Sequence, residues 1–444
     1  MKSAVAPNIF APKDVSIGTG DWPDNWRCVP LRSVCDKTSI WNPARERRDR
    51  FHYIDVSSVS NEHFCVMDAQ EIAGISAPSR ARKIVETGDV IYATVRPSLK
   101  RVAWIEPRYN DQIASTAFCI VRADPKEAVS KFLYYILLSD DVNRRIIEHE
   151  RGASYPAVTD KDVLNQLVPL PPIDEQEKMA AVLWNIQKAA EIEDAIVRNA
   201  RDLKKSLLRR LFTHGLRGEP LKETEIGPLP QSWDVERLSQ VREFLQYGTS
   251  QRCELSGNGF PVLRIPNVVA GRVDTSEIKY AEMPEKAAEN LRLAAGDLLF
   301  VRTNGQRHYV GRCAVYKDEP LNALFASYLI RARLFTERVN PDFVQAYTMT
   351  DAGKSFLSGR SHGAADGKFN INTQTIDSML VPVPSPNEQR EIADVLQNVD
   401  RKIEIHESKK RSLQDLFKTT LHKLMTAQIR VNHLDIDTSE VEAA

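Results

Sequence analysis

The sequence predicts an α+β protein built from two similar domains, mixed but rich in β-strands, each followed by a long helix. The two helices are expected to pair with each other as a coiled coil. Three observations predict this fold. Two long helical segments begin with nearly the same residues, the domains before them share strand patterns, and each helix carries one apolar stripe that needs a partner.

The repeat is clearest where each long helix begins. The first copy reads Leu-Pro-Pro-Ile-Asp-Glu-Gln over 170–176, and the second reads Val-Pro-Ser-Pro-Asn-Glu-Gln over 383–389. Gln176 therefore matches Gln389 at a shift of 389 − 176 = 213 residues. Both openings carry the signals of a helix N-terminus, because each has the spacing of a capping box and the second also has a proline in its first turn.

The length of the first helix follows from the absence of helix breakers. No Gly or Pro lies between Asp174 and Thr213, a stretch of 213 − 174 + 1 = 40 residues. At ~1.5 Å per residue such a helix is a rod of roughly 60 Å. Gly215 suits its end, because glycine readily adopts the left-handed backbone that closes many helices.

Apolar residues recur at spacings of three and four along both helices, which is typical of a coiled-coil seam. The predicted seam residues are Met179, Val182, Ile186, Ile196, Leu203 and Leu207 in the first helix, and Ile392, Leu396, Val399, Ile403, Leu413 and Phe417 in the second. Glu193 interrupts the first stripe, and His406 and Lys410 interrupt the second. Each helix is therefore expected to pack on the other, the alternative being two helices that pack on separate domains.

The pattern restarts after the first long helix, and this sets the predicted boundaries. Trp233 matches Trp26 at a shift of 207 residues, and a strand that begins Gly296-Asp matches one that begins Gly88-Asp at a shift of 208. The predicted organisation is an N-terminal leader at 1–21, a first domain at 22–172, a central long helix at 173–215, a linker at 216–230, a second domain at 231–384, a C-terminal long helix at 385–430 and a tail at 431–444.

The composition excludes several classes of protein. The 444 residues include 60 Lys plus Arg and 60 Asp plus Glu, so the formal net charge is zero and any anion-binding surface must be a local patch. No apolar run reaches ~18 residues, so no membrane span is expected. Six cysteines are scattered without a Cys-x-x-Cys pair. They predict neither a zinc site nor a disulfide framework and favour a reducing cytoplasm.

Candidate binding residues fall in basic clusters around the matching strands of the two domains. In the first domain they are Arg45, Arg47, Arg48, Arg80, Arg82, Lys83, Arg96, Lys100 and Arg101. In the second domain two loops supply Arg302, Asn304, Gln306, Arg307, His308 and Tyr309, and then Arg360, His362, Lys368 and Asn370. Arg and Lys can bond guanine edges, and Asn and Gln can bond adenine. Any single Arg in such a cluster is more often a solvated charge or a phosphate contact.

No catalytic or metal site is predicted. His149 and His308 have no second His or Cys at ligand spacing. The phosphate-binding Gly-x-x-x-x-Gly-Lys-Ser/Thr loop, the glycine-rich nucleotide fingerprint and the Asn/Asp-Pro-Pro-Tyr motif of amino-methyltransferases are all absent from the sequence. Active-site chemistry is therefore not visible in the sequence.

Taken together, these features resemble the DNA-specificity subunit of type I restriction–modification systems. The resemblance is carried by the paired helix openings that end in Glu-Gln, by the helix ends Leu211-Phe-Thr and Leu424-Met-Thr, and by the duplicated Gly-Asp strand followed by an Arg-bearing loop. It covers about residues 22–430. Each motif is weak alone, and their combination is fairly specific.

The resemblance implies two target-recognition domains, each reading one half of a split site in double-stranded DNA. It implies that the two long helices form an antiparallel coiled-coil spacer, which relates the two halves by a pseudo-two-fold axis. It implies assembly with two methyltransferase subunits, which bind S-adenosylmethionine, and with two motor-nuclease subunits, which use ATP and Mg. This chain itself is then expected to bind no cofactor, to lack a catalytic site, to have no membrane partner and to act in the cytoplasm. Helices of roughly 60 Å suit half-sites with an unspecific gap of about half a DNA turn or slightly more.

Two other functions stay open at this point. A coiled-coil scaffold whose globular domains bind protein partners would show no salt-dependent binding to DNA, alone or with those partners. A self-sufficient enzyme, such as a nuclease with an unrecognised site, would cleave DNA in a metal-dependent way as the purified chain.

Overall fold

The computed structural model describes residues 22–42, 46–269, 271–363 and 367–442. These residues form two compact units: the first unit is 22–194 together with 407–442, and the second unit is 195–406. Each long helix therefore contributes one half to each unit. The predicted leader at 1–21 and the candidate Arg45 lie outside the described residues.

The elements of the first unit follow the predicted order of short strands and then helices. The strands are β1 (Arg27–Pro30), β2 (Arg50–Ile54), β3 (Gln70–Ala73), β4 (Ala81–Val85), β5 (Val90–Ala93), β6 (Val102–Trp104), β7 (Gln112–Ser115), β8 (Phe118–Val121) and β9 (Leu167–Leu170). The helices are α1 (Ser130–Leu138), α2 (Asp140–Ile147), α3 (Asp160–Leu164) and the long α4 (Ile173–His214), whose first half belongs to this unit.

A three-stranded antiparallel sheet, β6-β5-β8, lies at the centre of the first unit. Val90 and Tyr92 of β5 pack in one apolar cluster with α1, whereas Ile91 and Ala93 pack in a second cluster. Successive residues of a strand point to opposite faces, so a strand covered on both faces needs this unbroken apolar run. The parallel strands β2 and β7 lie within a second sheet, β3-β2-β7-β4, which shares the second cluster through Ile54.

The second unit repeats this order with additional strands. Its strands are β10 (Leu221–Thr224), β11 (Gly227–Pro230), β12 (Asp234–Arg237), β13 (Arg242–Tyr247), β14 (Phe260–Leu263), β15 (Val268–Val269), β16 (Arg272–Val273), β17 (Lys279–Ala281), β18 (Leu298–Val301), β19 (Thr303–Asn304), β20 (Cys313–Val315), β21 (Leu324–Phe325), β22 (Leu329–Leu334), β23 (His362–Gly363), β24 (Phe369–Asn370) and β25 (Leu380–Val383). Its helices are α5 (Leu238–Val241), α6 (Glu285–Glu289), α7 (Pro341–Thr348), α8 (Asp351–Gly359), α9 (Thr373–Asp377) and the first half of the long α10 (Pro386–Met425). The rest of α10 and the short α11 (Ser439–Glu442) belong to the first unit.

The strand pairing of the second unit matches that of the first. Strand β18 pairs with β20 and β22 as β5 pairs with β6 and β8, and β14 runs parallel to β21 as β2 does to β7. Leu298 and Phe300 pack in one apolar cluster, while Leu299 and Val301 pack in another. The duplication predicted from the Gly-Asp strands is thus a duplication of topology. The second unit also adds β13, β15 and β16, which extend its central sheet to six strands.

Two segments predicted as a linker and a tail contribute to the cores. Residues 216–230 contain the antiparallel hairpin β10–β11, and Leu229 is buried in the core of the second unit. After α10, Val431 and Val441 are buried in the core of the first unit. Charged and turn-forming residues dominate both segments, so their sparse apolar positions gave little indication of burial.

The repeated Glu-Gln pair fixes the start of each long helix to the domain before it. In the first unit Nε1 of Trp26 donates to Glu175 at 3.0 Å, and in the second unit Nε1 of Trp233 donates to Glu388 at 3.2 Å. Both carboxylates are buried. The glutamine that follows each of them bonds backbone groups of its own unit. The matching tryptophans and the matching helix openings are therefore one structural device used twice.

The same carboxylates also hold the end of the other long helix. Glu175 accepts hydrogen bonds from the guanidinium of Arg430, which follows α10, and Glu388 accepts the backbone N–H of Leu216, which follows α4, at 2.9 Å. Gly215 is left-handed at φ +59°, and a Cβ there would lie 2.8 Å from Glu388. Within each unit the start of one helix lies beside the end of the other. The predicted α+β fold with antiparallel long helices is confirmed at this level.

Charges occupy the middle of the helix pair. In the first unit Lys409 bonds Glu193 at 2.5 Å, and Lys410 bonds Asp194 at 2.5 Å. In the second unit Lys204 bonds the carboxylate of Asp400 at 2.6 Å. The predicted interruptions at Glu193 and Lys410 are therefore paired charges. His406 is half-buried and has a partner of its own.

The predicted seam needs one correction. Met179, Ile392 and Leu396 are buried, and the remaining predicted positions other than Leu203 are half-buried: Val182, Ile186, Ile196, Leu207, Val399, Ile403, Leu413 and Phe417. Leu203 is 53% exposed, so its placement in the seam is wrong. The buried position is that of Lys204, seven residues after the buried Val197. A pattern of apolar residues selects leucine over lysine, whereas Lys204 buries its stem and pairs its charge.

Candidate nucleic-acid interface

The turn that follows β5 carries three of the predicted basic residues. Arg96 precedes a single 3-10 turn, Pro97–Leu99, and has left-handed backbone angles of φ 50° and ψ 57°. Lys100 ends the same turn at φ 50° and ψ 51°. Two left-handed residues other than glycine in one turn are unusual, because their Cβ atoms crowd the backbone. The turn therefore has a defined shape that places Arg96 on the surface.

A second loop of the first unit lies against this turn. Val95 forms a β-bridge with Ala157, and the amide of Arg96 donates to the carbonyl oxygen of Pro156 at 2.7 Å. The guanidinium of Arg96 lies over the ring of Tyr155, 5.4 Å from its centroid. Tyr155 is 73% exposed. We name residues 94–101 and 151–157 together the first-unit face.

The two other cations of the turn are bound within the unit. Lys100 donates to Asp140 at 2.7 Å, and Arg101 donates to the backbone oxygen of Val56 at 3.0 Å and to that of Val59. These contacts hold the turn on its domain. An external anion would have to displace these internal acceptors in order to bond the same N–H groups.

The remaining candidates of the first unit divide in the same way. Arg48 bonds both carboxylate oxygens of Asp111, and this hydrogen bonding raises the pKa of the guanidinium above its ordinary value. Lys83 bonds Asp160 and a backbone carbonyl, and Arg82 bonds the carbonyl oxygen of its neighbour Ala81. The exposed candidates outside the turn are Arg47 and Arg80.

A small antiparallel sheet brings the two predicted loops of the second unit together. Strand β19 pairs with β24, so Thr303 lies opposite Asn370 and Asn304 lies opposite Phe369. Strand β24 also pairs with β23, which places His362 opposite Asn370. Residues 302–312 therefore share one surface with the described residues 358–363 and 367–372, although some fifty residues separate the two loops in the chain. We name this surface the second-unit face.

Several side chains of the second-unit face hold its own loops. Arg307 donates to the carbonyl oxygens of Ser358 and Gly359 at 2.9 and 2.8 Å, so it joins the two loops. The carboxamide oxygen of Asn304 accepts the backbone N–H of Gln306 at 2.9 Å and shapes the turn. The candidate side chains exposed on this face are Gln306, Arg307, His308, Arg360, His362 and Lys368, beside the half-buried Arg302, Tyr309 and Asn370.

Aromatic rings support the arginines of both faces, and sequence reasoning missed most of them. Arg302 lies over the ring of Tyr247 at 4.8 Å, and Arg312 lies over that of Tyr309 at 3.5 Å. Tyr155 has the same role for Arg96. A tyrosine between glycine and proline in a polar loop was the available signal for Tyr155. Tyr247 ends strand β13, far away in sequence, and nothing in the sequence connects it to Arg302.

A metal-ligand cluster or an activated thiol in the described part of the chain would indicate a reaction centre. Among the described residues, no group of three or more His, Cys, Asp or Glu side chains is placed to hold a metal ion. Burial raises the pKa of the thiols of Cys35 and Cys65, to about 12 and about 11, so neither is an activated nucleophile. In the same described part of the chain, no helix is long and apolar enough to cross a membrane.

The comparison with known families decides what these two units are. The family of type I restriction modification DNA specificity domains matches residues 23–198 and matches again over residues 230–415. The chain belongs to this family. It is a type I restriction–modification specificity subunit with two DNA specificity domains, as the repeat predicted, and these matches do not favour the protein-binding scaffold.

Two curated specificity subunits and one solved structure are similar to this specificity subunit. The MjaVIII specificity subunit of Methanocaldococcus jannaschii is 25% identical over 71% of this chain and 74% of its own length. The EcoKI specificity subunit of Escherichia coli K12 is 26% identical over 74% of this chain and 72% of its own length. A chain from a structure of a type I R-M system, determined to explain complex assembly and conformational transition, is 26% identical with a TM-score of 0.56. That match covers 92% of this chain and all of the other.

Proposed function

We propose that each domain reads one half of a bipartite site in double-stranded DNA. The first domain uses the first-unit face together with the exposed Arg47 and Arg80, and the second domain uses the second-unit face. The long helices set the spacing between the half-sites and dock two methyltransferase subunits, which carry S-adenosylmethionine. Two motor-nuclease subunits, which use ATP and Mg, complete the assembly in the cytoplasm. The chain itself binds no cofactor and catalyses no reaction.

The observation that carries this proposal is the second-unit face. Strands β19, β24 and β23 bring two polar loops onto one surface whose exposed side chains include Arg360, Lys368, His362 and Gln306. Cations, imidazoles and amides are the side chains that bond phosphates and base edges. The first-unit face stands at the matching point of the repeat, after β5, and presents Arg96 and Tyr155. Two faces at one point of a duplicated fold suit two half-sites.

The test removes charge from one domain at a time. One variant carries Arg47→Ala and Arg80→Ala, and another carries Arg360→Ala and Lys368→Ala. Each is assembled with the methyltransferase subunits and footprinted on the target found by methylation mapping. We expect each variant to leave a different half-site unprotected. The slope of log affinity against log salt should become shallower by about 0.9 for each phosphate that the variant no longer neutralises.

A charge-matched control separates a local effect from net charge. Lys126→Ala with Lys286→Ala also removes two positive charges, but from exposed positions outside the candidate clusters. Both half-sites should stay protected in this control. Protection of one short contiguous site by the wild type contradicts the bipartite target. Metal-dependent cleavage of DNA by the purified chain alone contradicts the absence of catalysis.

A further inference from the structure

We propose that Arg96 reads a guanine in the half-site of the first domain, and that Tyr155 positions the guanidinium for that contact. The inference rests on the proposed function, because it names the reading residue of a face that the proposal assigns to DNA. It separates Arg96 from the other cations of the first unit, which are bound internally or contact phosphates.

The backbone of the turn fixes the direction in which Arg96 leaves the chain. Its left-handed conformation is unfavourable for a residue with a Cβ, so surrounding bonds must hold it there. The amide of Arg96 donates to Pro156 at 2.7 Å, and its carbonyl oxygen accepts the amide of Leu99 at 2.9 Å. Val158 donates to Thr94 at 2.9 Å and holds the base of the turn to the next loop. A contact that depends on geometry requires a support of this kind.

Tyr155 restricts the side chain in the same way. The guanidinium carbon of Arg96 lies 5.4 Å from the ring centroid, within the range of a cation–π contact. The loop that carries the ring is closed by a β-bridge between Arg151 and Ala157 and turns at Gly152, where φ is +97°. A guanidinium held over a ring loses less freedom when two of its N–H groups bond O6 and N7 of a guanine.

The neighbouring cations of the turn are bound within the unit, so Arg96 is the cation of this turn that can contact a guanine. Lys100 is bound to Asp140, and Arg101 is bound to two backbone carbonyl oxygens. Within the described part of the chain, the guanidinium of Arg96 has no ion pair or hydrogen bond to a protein oxygen, and the ring below it is 73% exposed. Its N–H groups are therefore open to an acceptor that is not among the described residues. Guanine offers two acceptors at the spacing of the guanidinium fork, and Arg with guanine is the commonest specific contact.

The test measures base preference as well as affinity. The full chain is assembled with its methyltransferase subunits, and the target is first mapped by sequencing methylated sites in cells that carry the intact system. Duplexes with single base-pair changes across both half-sites are then titrated with the wild type, Arg96→Lys and Arg96→Ala. Arg144→Ala, at an exposed arginine of α2, is the charge-matched control.

We expect both Arg96 variants to lose the preference for one G·C pair, in one half-site only, by roughly 5- to 150-fold. The slope of affinity against salt should not change for Arg96→Lys, which keeps the charge and loses the fork. Arg144→Ala should keep the preference. An Arg96→Ala complex that retains full preference would overturn the assignment. Equal weakening on all duplexes by Arg96→Ala, with a smaller salt slope, would overturn it too, because both results are those of a phosphate contact.

Variants of Tyr155 test the positioning role and do not depend on the stability of Arg96→Ala. Tyr155→Ala should weaken the same G·C preference, and Tyr155→Phe should retain it. Tyr155→Ala combined with Arg96→Ala should lose no more than Arg96→Ala alone, because the ring acts through the guanidinium. Additive losses, or a loss at a different base pair, refute the positioning role. If no variant and no wild-type complex shows half-sites at all, the proposed function fails first and the inference fails with it.

Discussion

In the first unit the central sheet has three strands and a purely apolar second face, whereas in the second unit the matching sheet has six strands and buries a charge. Arg331 of β22 occupies the position that Ile120 holds in β8. It is 3% exposed, it lies between the rings of Phe244 and Phe325, and burial lowers the pKa of its guanidinium. The duplicated fold therefore accepts a buried cation where its other copy has an aliphatic side chain.

What the two units share shows which contacts the fold requires. The Asp of each Gly-Asp motif is buried and paired with an arginine that lies in or directly after the neighbouring strand of the sheet. Asp89 pairs with Arg122 and Asp297 with Arg333, both at 2.8 Å or less. The paired Trp and Glu are kept as well. The faces after β5 and β18 have almost nothing in common. Shared contacts hold the frame, and the faces differ as two readers of different half-sites should.

The largest expected effect comes from removing the second copy. In the first unit the start of α4 packs against the end of α10, so a fragment of residues 1–220 exposes an apolar stripe that favours burial by ~25 cal/mol per Å² before entropy costs. We expect it to form a homodimer with two copies of the first domain. Such a dimer is two-fold symmetric, so its DNA target must be a palindrome of the first half-site.

Sedimentation of the fragment and methylation mapping with the methyltransferase subunit check both parts. We expect the dimer to be weak, because α4 has Ile196, Val197 and Gln187 where α10 has Lys409, Lys410 and Asp400. Glu193 and Lys204 then lose the partners that they have in the intact chain. A strictly monomeric fragment, or a dimer with an asymmetric target, contradicts this account of the repeat.

The next effect separates the two buried glutamates. Alanine at either Glu175 or Glu388 should lower the free energy of unfolding by about 3 kcal/mol, because buried donors lose their acceptor. Glutamine should distinguish them less sharply. In both sites the two carboxylate oxygens accept from different donors, so the amide nitrogen of a glutamine would face an N–H group. Glu175→Gln also removes the charge opposite Arg430 and should cost about 3 kcal/mol, whereas Glu388→Gln should cost about 1 to 2 kcal/mol. Urea unfolding measures both.

Alkylation of one buried cysteine in each unit measures how readily that unit opens, in the same variants. Cys119 is buried in the first unit and Cys313 in the second, and burial raises the pKa of both thiols above the ordinary value. Neither should react with an alkylating reagent until its unit opens. Faster labelling of Cys119 in Glu175→Ala, and of Cys313 in Glu388→Ala, is the expected pattern. Equal labelling of both cysteines in either variant would show that the units open together.

The smallest expected effect comes from replacing Lys204 of α4 with the residue type that stands at the matching position of α10. Lys204 matches Phe417 at the shift of 213 residues. Lys204→Phe should change the free energy of unfolding by about 1 kcal/mol or less, because Asp400 can be hydrated and the ring gains apolar burial. Lys204→Ala gains no burial and should cost about 2 kcal/mol. The control is Leu203→Ala at the exposed neighbour, expected within about 0.5 kcal/mol. A destabilisation by Lys204→Phe above about 3 kcal/mol would show that the ion pair itself is required.

Much of the frame could be predicted because its signals are local or repeated. The Glu-Gln openings, the apolar stripes and the Gly-Asp strands are visible in the sequence, and the strand pairing of the units matches the repeat that they indicate. The register of the seam at Lys204 could not be predicted, because a lysine is buried there only when an acid such as Asp400 stands opposite. That acid lies 196 residues away in the chain.

The candidate site could be predicted only as a set of residue types. Exposed and internally bound arginines look identical in a sequence, so Arg48, Arg101 and Arg307 could not be separated from Arg96. The difference lies in partners such as Asp111, which comes 63 residues after Arg48. Pairing of β19 with β24 likewise depends on the path of the chain between them.

The charges in the middle of the helix pair have a consequence for synthesis. On the ribosome residues 1–215 emerge before 386–425, so each nascent chain exposes its α4 before its own α10 has been made. The polarity of the ion pairs is reversed between the units, with acids on α4 at Glu193 and Asp194 and a base on α4 at Lys204. The α4 of another chain has Ile196, Val197 and Gln187 at the positions that face these charges. It therefore cannot neutralise them. During synthesis α4 is therefore a poor partner for the α4 of another chain. It remains a good partner for the α10 of its own chain.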